Sequence, residues 1–211
     1  KPLPEIGEEE KPFDLPEGWE WTSLLSLGTF SGGKTPSKNN GEYWGGAIPW
    51  VTPKDMKVND IFDAQDKVTQ LAIDEGLGLV DCDSLLFVAR SGILRRAFPV
   101  AITRVECTVN QDLKVLSLFN KELCSYIHLM MRGFEGYILK NLTKIGTTVE
   151  SLKFDEFSKH CFLLPPVAEQ YRIVAKVDEL MSICDQLKAK ITDAQTTQLQ
   201  LADTVVDEAL A

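Results

Sequence analysis

Two adjacent prolines, Pro165 and Pro166, close the apolar run "CFLL", and from Val167 onward neither proline nor glycine occurs again. Proline suits the first position of a helix, where its missing N–H would have had no intrahelical acceptor. About 45 residues then follow without a breaker, roughly 65–70 Å of helix at ~1.5 Å per residue. Within them Ile173, Val177, Leu180, Cys184, Leu187, Ile191, Ala194, Gln198, Leu201 and Val205 alternate in steps of four and three. That is the period of a coiled coil, with Gln198 as the one polar member of the seam. A buried polar seam residue sets register at some cost in stability. A lone helix showing such a stripe to water is poorly soluble, so the pattern predicts pairing with another helix. The competing arrangement, a helix lying along its own domain, fits less well because the rod outruns a domain of about 150 residues.

Charge divides the chain the same way. The net charge is −9, yet residues 17–165 hold 16 basic and 18 acidic groups and are nearly neutral. The acidity sits in residues 1–16, with 2 basic and 5 acidic groups, and in 166–211, with 4 and 8. Within the neutral middle the cations cluster as Arg90, Arg95, Arg96 and Arg104, then Arg132, Lys140, Lys144 and Lys153. Such clusters can hold a phosphate backbone without forming the broad cationic face of a non-specific nucleic-acid binder. No apolar run reaches the ~20 residues of a membrane span. The five cysteines, Cys82, Cys107, Cys124, Cys161 and Cys184, are scattered and odd in number, with only His128 and His160 beside them. They show no metal-ligand spacing and read as buried, reduced thiols of a cytoplasmic protein.

Three stretches follow. Residues 1–16 carry four prolines and a charge run and read as an extended linker. Residues 17–165 form the globular domain, and 166–211 the long helix. In the domain, Thr22 can cap a short helix that Gly28 ends. "GTFSGGKTPSKNNGEYWGG" reads as a long loop of the kind that carries function. "IPWV", "SLLFVARS", "FPVAITRV", "LKVLSL" and "CFLL" read as strands. "NKELCSYIHLMMRG" reads as a helix capped by Asn120, with Leu123, Ile127 and Met131 on one face and Gly133 at its end. "KIGTTVESLKFDEF" reads as a turn and a short helix. Strands and helices mix without regular βαβ alternation, which gives an α+β class: a β-rich globular domain followed by one long coiled-coil helix.

Several segments in this order resemble the specificity subunits of type I restriction-modification systems. They are "LPEGWEWTSL", "GGKTPS", "YWGGAIPWVTPKDM", "VARSGI", the "NQD" at Asn110, "GTTVESLKFDEF" and above all "LPPVAEQYRIVAKVDELM". Each short match is weak alone; their sequence along nearly the whole chain carries the resemblance. It implies a target-recognition domain reading one half of a bipartite site on double-stranded DNA, and a spacer helix that pairs with a counterpart. It further implies no catalysis and no cofactor in this chain. The partner methylation subunits use S-adenosylmethionine, and a restriction and translocation subunit joins through them. With one domain and one helix, and opening on Lys1, the chain reads as a C-terminal half. A natural half-length subunit that restores both halves as a homodimer is the alternative.

Reading DNA requires side chains that reach base edges and donors that fix the protein on phosphates. The first loop offers Lys34, Thr35, Ser37 and Lys38; Trp50 and Lys54 follow in "IPWVTPK". Arg90 and Ser91 flank the Gly92 turn, with Arg95 and Arg96 just beyond. Lys144, Thr147 and Thr148 surround Gly146, whose neighbouring amides can hold a phosphate. Each set also has a plainer use, as solvated loop, surface ion pair or helix cap. For Asn110 and Gln111 a hydrogen-bonded bend is favoured over reading adenine. No nucleophile elbow, P-loop, methyltransferase signature or glycine-rich cofactor turn is present. A DNA-recognition module and a structural adaptor that oligomerises through its helix are therefore the two functions to separate. The arginines favour the first and the overall acidity the second.

Overall fold

A computed structural model of the protein describes residues 13–146 and 149–210. These divide after Val167 into two compact units. The first opens with β1 (Glu20–Ser23), α1 (Leu24–Leu27), β2 (Gly28–Gly32), β3 (Trp44–Val51), β4 (Asp60–Ile61) and β5 (Asp66–Val68). It continues with α2 (Gln70–Asp74), β6 (Leu85–Val88), β7 (Val100–Thr103), β8 (Thr108–Val109) and β9 (Leu113–Leu118). After α3 (Cys124–Gly133) and α4 (Glu135–Asn141) come β10 (Thr143–Lys144), β11 (Ser151–Leu152), α5 (Phe154–Lys159) and β12 (Cys161–Leu164). The second unit carries α6 (Val167–Leu210), whose first residue lies on the boundary.

The strands form a five-stranded sheet in the order β2-β9-β6-β7-β4 and a three-stranded sheet in the order β5-β3-β8. Both are mixed, since β4 runs parallel to β7 and β8 parallel to β3. Two-stranded ladders β1-β12 and β10-β11 complete the set. The architecture is α+β, as the irregular alternation in the sequence predicts. β6 is apolar at all four positions because it is central and covered on both faces; every residue of it is buried. Its Phe87 joins Phe98, Phe157 and Phe162 in a core cluster of rings, each residue at most 1% exposed. Burying one such ring stabilises the fold by roughly 1.5–3 kcal/mol. α3 lies against β7, with Ile127 and Met131 of the helix fully buried and His128 Nε2 3.2 Å from the Val100 carbonyl. Tyr126 ties the same helix to β12, its hydroxyl donating to the Leu163 carbonyl at 2.9 Å.

The structure redraws several local expectations. Thr22 lies inside β1, and Ser23 takes the N-cap position of α1, while the Thr22 hydroxyl bonds that of Ser26 at 2.8 Å. The start of the expected loop is strand β2. Glycine is a poor strand former, but a Cβ at Gly28 would come within 2.4 Å of the Ser117 carbonyl oxygen, so only glycine lets β2 lie this close to β9. The true loop is residues 33–40. Asn120 caps a single 3-10 turn, Lys121–Leu123, which leads into α3. Of the five cysteines, Cys107 and Cys124 are buried, and burial pushes their thiols up to about 12. Cys82 and Cys161 are half-buried, and Cys184 is exposed, so the expectation of buried thiols fails for Cys184.

Helix α6 runs unbroken for 44 residues, about 66 Å at 1.5 Å per residue. Every described side chain from Asp178 to Leu210 is exposed, including the seam from Leu180 to Val205. Ion pairs one turn apart, such as Lys176 with Glu179 and Lys188 with Asp185, contribute only a few tenths of a kcal/mol each. Among the described residues no helix is long and apolar enough to cross a membrane.

Candidate nucleic-acid interface

The candidate residues lie far apart in sequence, and backbone ladders draw most of them together. Loop 33–40 leaves β2 at Gly33, where an added Cβ would stand 1.8 Å from the Val109 carbonyl oxygen. Lys34 donates its N–H to that same oxygen at 3.0 Å. Beyond it the Thr35 hydroxyl donates to Gln111 Oε1 at 2.7 Å, joining the loop to the bend between β8 and β9. That bend is closed by Asn110, whose side chain donates to Asp112 Oδ2 and accepts the Asp112 N–H, both at 3.1 Å. Asn110 is buried, so its structural role holds, while Gln111 is exposed.

The bend in turn meets the end of β6. The Asp112 carbonyl accepts the N–H groups of Ala89 and Arg90 at 2.8 and 3.1 Å. Asp112 Oδ1 takes Arg90 Nε at 2.8 Å and Nη2 at 2.7 Å. On the other side Ser91 donates its N–H to the Glu150 carbonyl and Leu152 donates to Ala89, at 3.1 and 2.8 Å. These bonds set the β10-β11 hairpin beside the Gly92–Arg95 turn, which Ser91 caps by accepting the Ile93 N–H. Four separate segments, 33–38, 89–95, 110–112 and 150–152, the last paired with β10, thus form one continuous strip.

The candidate side chains, on that strip and outside it at Lys54 and Arg96, differ in freedom. Lys34, Thr35, Ser37, Lys38, Lys54, Arg90, Arg95, Arg96 and Lys144 are exposed, and Ser91 is half-buried. Lys34, Lys38, Lys54, Arg96 and Lys144 have no ion-pair partner among the described residues. Arg95 gives Nε to Glu150 Oε1 at 2.5 Å, and the guanidinium holds that carboxyl below the usual carboxylate range. Lys54 stands in the turn after β3, where Asp55 accepts both the N–H and the hydroxyl of Thr52. Arg104 belongs elsewhere, bonded to Asp60 at 2.6 Å and Asp83 at 2.8 Å. Thr147 and Thr148 lie outside the described residues.

Trp50 takes a supporting place. It is 7% exposed, packed with Val68, Ala72 and Leu77, and its indole N–H donates to the Lys34 carbonyl at 3.1 Å. Trp44 stacks edge-on against it and donates to the Ser37 carbonyl at 3.1 Å. The two indoles therefore pin the loop from beneath, and Trp50 is not on its outer face. Asp112 and Glu150 escape a reading of the sequence. Asp112 stands in the "NQD" run that drew notice for its neighbours, whereas nothing local marks Glu150. The strip offers donors and acceptors suited to phosphates and base edges. Among the described residues no group of three His, Cys, Asp or Glu side chains is placed to hold a metal ion.

Comparison with known proteins follows the same lines. Residues 16–194 match the type I restriction modification DNA specificity domain family. The chain is 33% identical over 184 residues to the type I restriction enzyme EcoR124I/EcoR124II specificity subunit of Escherichia coli, covering 86% of this chain and 45% of that protein. It is 28% identical to the EcoAI specificity subunit of Escherichia coli, covering all of this chain and 36% of the relative. It thus spans less than half the length of these curated relatives. Its fold is similar to a chain of a solved type I R-M system, with a TM-score of 0.71 and 17% identity over 94% of this chain and 47% of that one. It is also similar to the HsdS subunit from Thermoanaerobacter tengcongensis, with a TM-score of 0.60 and 19% identity over 84% of this chain and 40% of that one.

Proposed function

The chain belongs to the type I restriction modification DNA specificity family, and from that premise we propose that its globular unit reads one half of a bipartite site on double-stranded DNA. The carrying observation is the strip itself, which gathers a lysine-bearing loop, a polar bend and an arginine turn along one run of backbone ladders. Unpaired Lys34, Lys38, Lys54, Arg96 and Lys144 supply phosphate contacts, and the braced groups supply orientation. The reading includes no catalytic step in this chain. The chain positions methylation subunits, which bring S-adenosylmethionine, and through them a restriction and translocation subunit. It acts in the cytoplasm, where cellular and invading DNA meet the complex. Helix α6 pairs its seam with another helix and sets the distance between the two half-sites.

Exchange of the globular unit between two such systems, followed by methylation mapping of the genome, tests the reading. The methylated sequence should change in one half only. In a salt titration of the assembled complex, Lys34→Ala and Arg96→Ala should each lower the slope of log affinity against log salt by about 1. A slope near zero in the unaltered complex rejects DNA reading. It favours instead a structural adaptor, the reading to which the net charge of −9 points.

A further inference from the structure

We propose that Arg95 reads a guanine and that Glu150 is its positioning residue, holding the guanidinium through Nε so that both terminal nitrogens face a base edge. This rests on the DNA-reading role proposed above. The pair is lopsided. Glu150 is 5% exposed and its Oε2 has no hydrogen-bond partner among the described residues, whereas the Arg95 side chain is 65% exposed. A desolvated carboxylate with an unmet oxygen is a poor choice for stability, since an apolar residue of similar size serves a fold at least as well. The neighbouring pair shows what a completed brace looks like. Arg90 puts Nε and Nη2 on Asp112 Oδ1, and Asp112 Oδ2 accepts the Asn110 amide. Both oxygens are met there, and one edge of the Arg90 guanidinium is used up.

Arg95 spends only Nε. Among the described residues its Nη1 and Nη2 have no partner and form an open fork, the geometry that matches guanine O6 and N7 in the major groove. Among the described residues Glu150 is the one carboxylate to which this guanidinium is bonded. The stem is fixed as well. Leu94, beside it in the turn, is 2% exposed and anchors the backbone, and the backbone bonds from Ser91 to Glu150 and from Leu152 to Ala89 strap the two partners together. Less side-chain freedom is then lost on binding.

The test uses the assembled methylation complex and the target sequence found by methylation mapping. Duplexes carry 7-deazaguanine, which lacks the N7 acceptor, at each guanine of the half-site in turn. Unaltered complex should lose roughly ten- to a hundredfold in affinity at one guanine. Arg95→Lys, which keeps the charge and loses the fork, should bind more weakly and show no such sensitivity at that position. Glu150→Ala should lose most of the sensitivity, and Glu150→Gln, whose amide oxygen can still accept from Nε, should keep part of it. Thermal unfolding checks the fold of each variant. Should Glu150→Ala fail to fold, the exposed Arg95→Lys change and Glu150→Gln still decide the matter. A half-site without guanine overturns the proposal, as does full sensitivity retained in Arg95→Lys or in every folded Glu150 variant. If exchange of the globular unit leaves the methylated sequence unchanged, DNA reading itself fails. If exchange changes that sequence while Arg95 variants keep full sensitivity, only the Arg95 assignment fails.

Discussion

In the globular unit Phe157 meets the rings of Phe87, Phe98 and Phe162 at 5.5, 5.6 and 6.2 Å, whereas on α6 Leu187, Ile191 and Leu201 are 54, 57 and 62% exposed. Apolar side chains are common to both, but only the first set has been given neighbours by its own fold. The globular unit draws cohesion from residues distant in sequence, as β6 shows by lying between β9 and β7. From Asp178 onward the described side chains of the helix are exposed, and helices in proteins owe most of their stability to packing rather than to pairs one turn apart. One region is finished within the chain; the other, from Asp178 onward, leaves its apolar seam exposed.

Four measurements break or sharpen that contrast. The largest effect is expected from Ile191→Asp, which sets a charge in the apolar seam. Pairing should weaken by several kcal/mol, seen as loss of the assembled complex in sedimentation, while the melting of the globular unit stays unchanged. Assembly that survives the change breaks the contrast. Phe157→Ala should do the reverse, costing about 3–5 kcal/mol of globular stability in urea unfolding with seam pairing intact. Trp50→Phe keeps an aromatic ring but removes the pyrrole half of the indole and with it the donor to the Lys34 carbonyl. It should cost about 1–3 kcal/mol of stability, the lost hydrogen bond and the space left behind together, and weaken DNA binding without changing the methylated sequence.

The smallest effect concerns pH. Burial lowers the pKa of His128 below its ordinary value of 6.5, with the Val100 bond opposing, and burial lowers that of His160 in the same way. The unfolded chain therefore takes up protons near pH 6.5 while the folded chain does not. Stability from these groups is full above that pH and falls as pH drops toward the depressed folded values. Urea unfolding between about pH 7.5 and pH 5.5 should show this loss, and His128→Gln should reduce it. α6 holds no histidine, so seam pairing should not follow the same curve.

The contrast also explains what the sequence made legible. The period of α6 is local information, written every three or four residues, and a helix over Val167–Leu210 is what it forms. β6, β7, β9 and α3 were legible for a similar reason, each being a dense apolar run with a clear period. β2 was not, because its glycine-rich sequence becomes a strand only against β9. The short β4, β5, β8, β10 and β11 and the helices α2 and α4 depend likewise on partners across the fold. For the interface, Lys34, Arg90, Arg95 and Lys144 could be picked by residue type beside turn signals. That Arg90 has Asp112 and Arg95 has Glu150 could not, since those pairs span 22 and 55 positions. The burial of Trp50 is likewise set by residues distant in sequence, Val68, Ala72 and Leu77.

Trp44 and Trp50 grip the loop at the carbonyls of Ser37 and Lys34, and Gly33 seats it against Val109. Carbonyls are the same whatever side chain a residue bears. Exposed residues between Lys34 and Asn39 can therefore be exchanged by mutation while the mount that carries them stays as it is. A lineage can vary this loop at little risk to folding, provided that one glycine and two indoles are left alone.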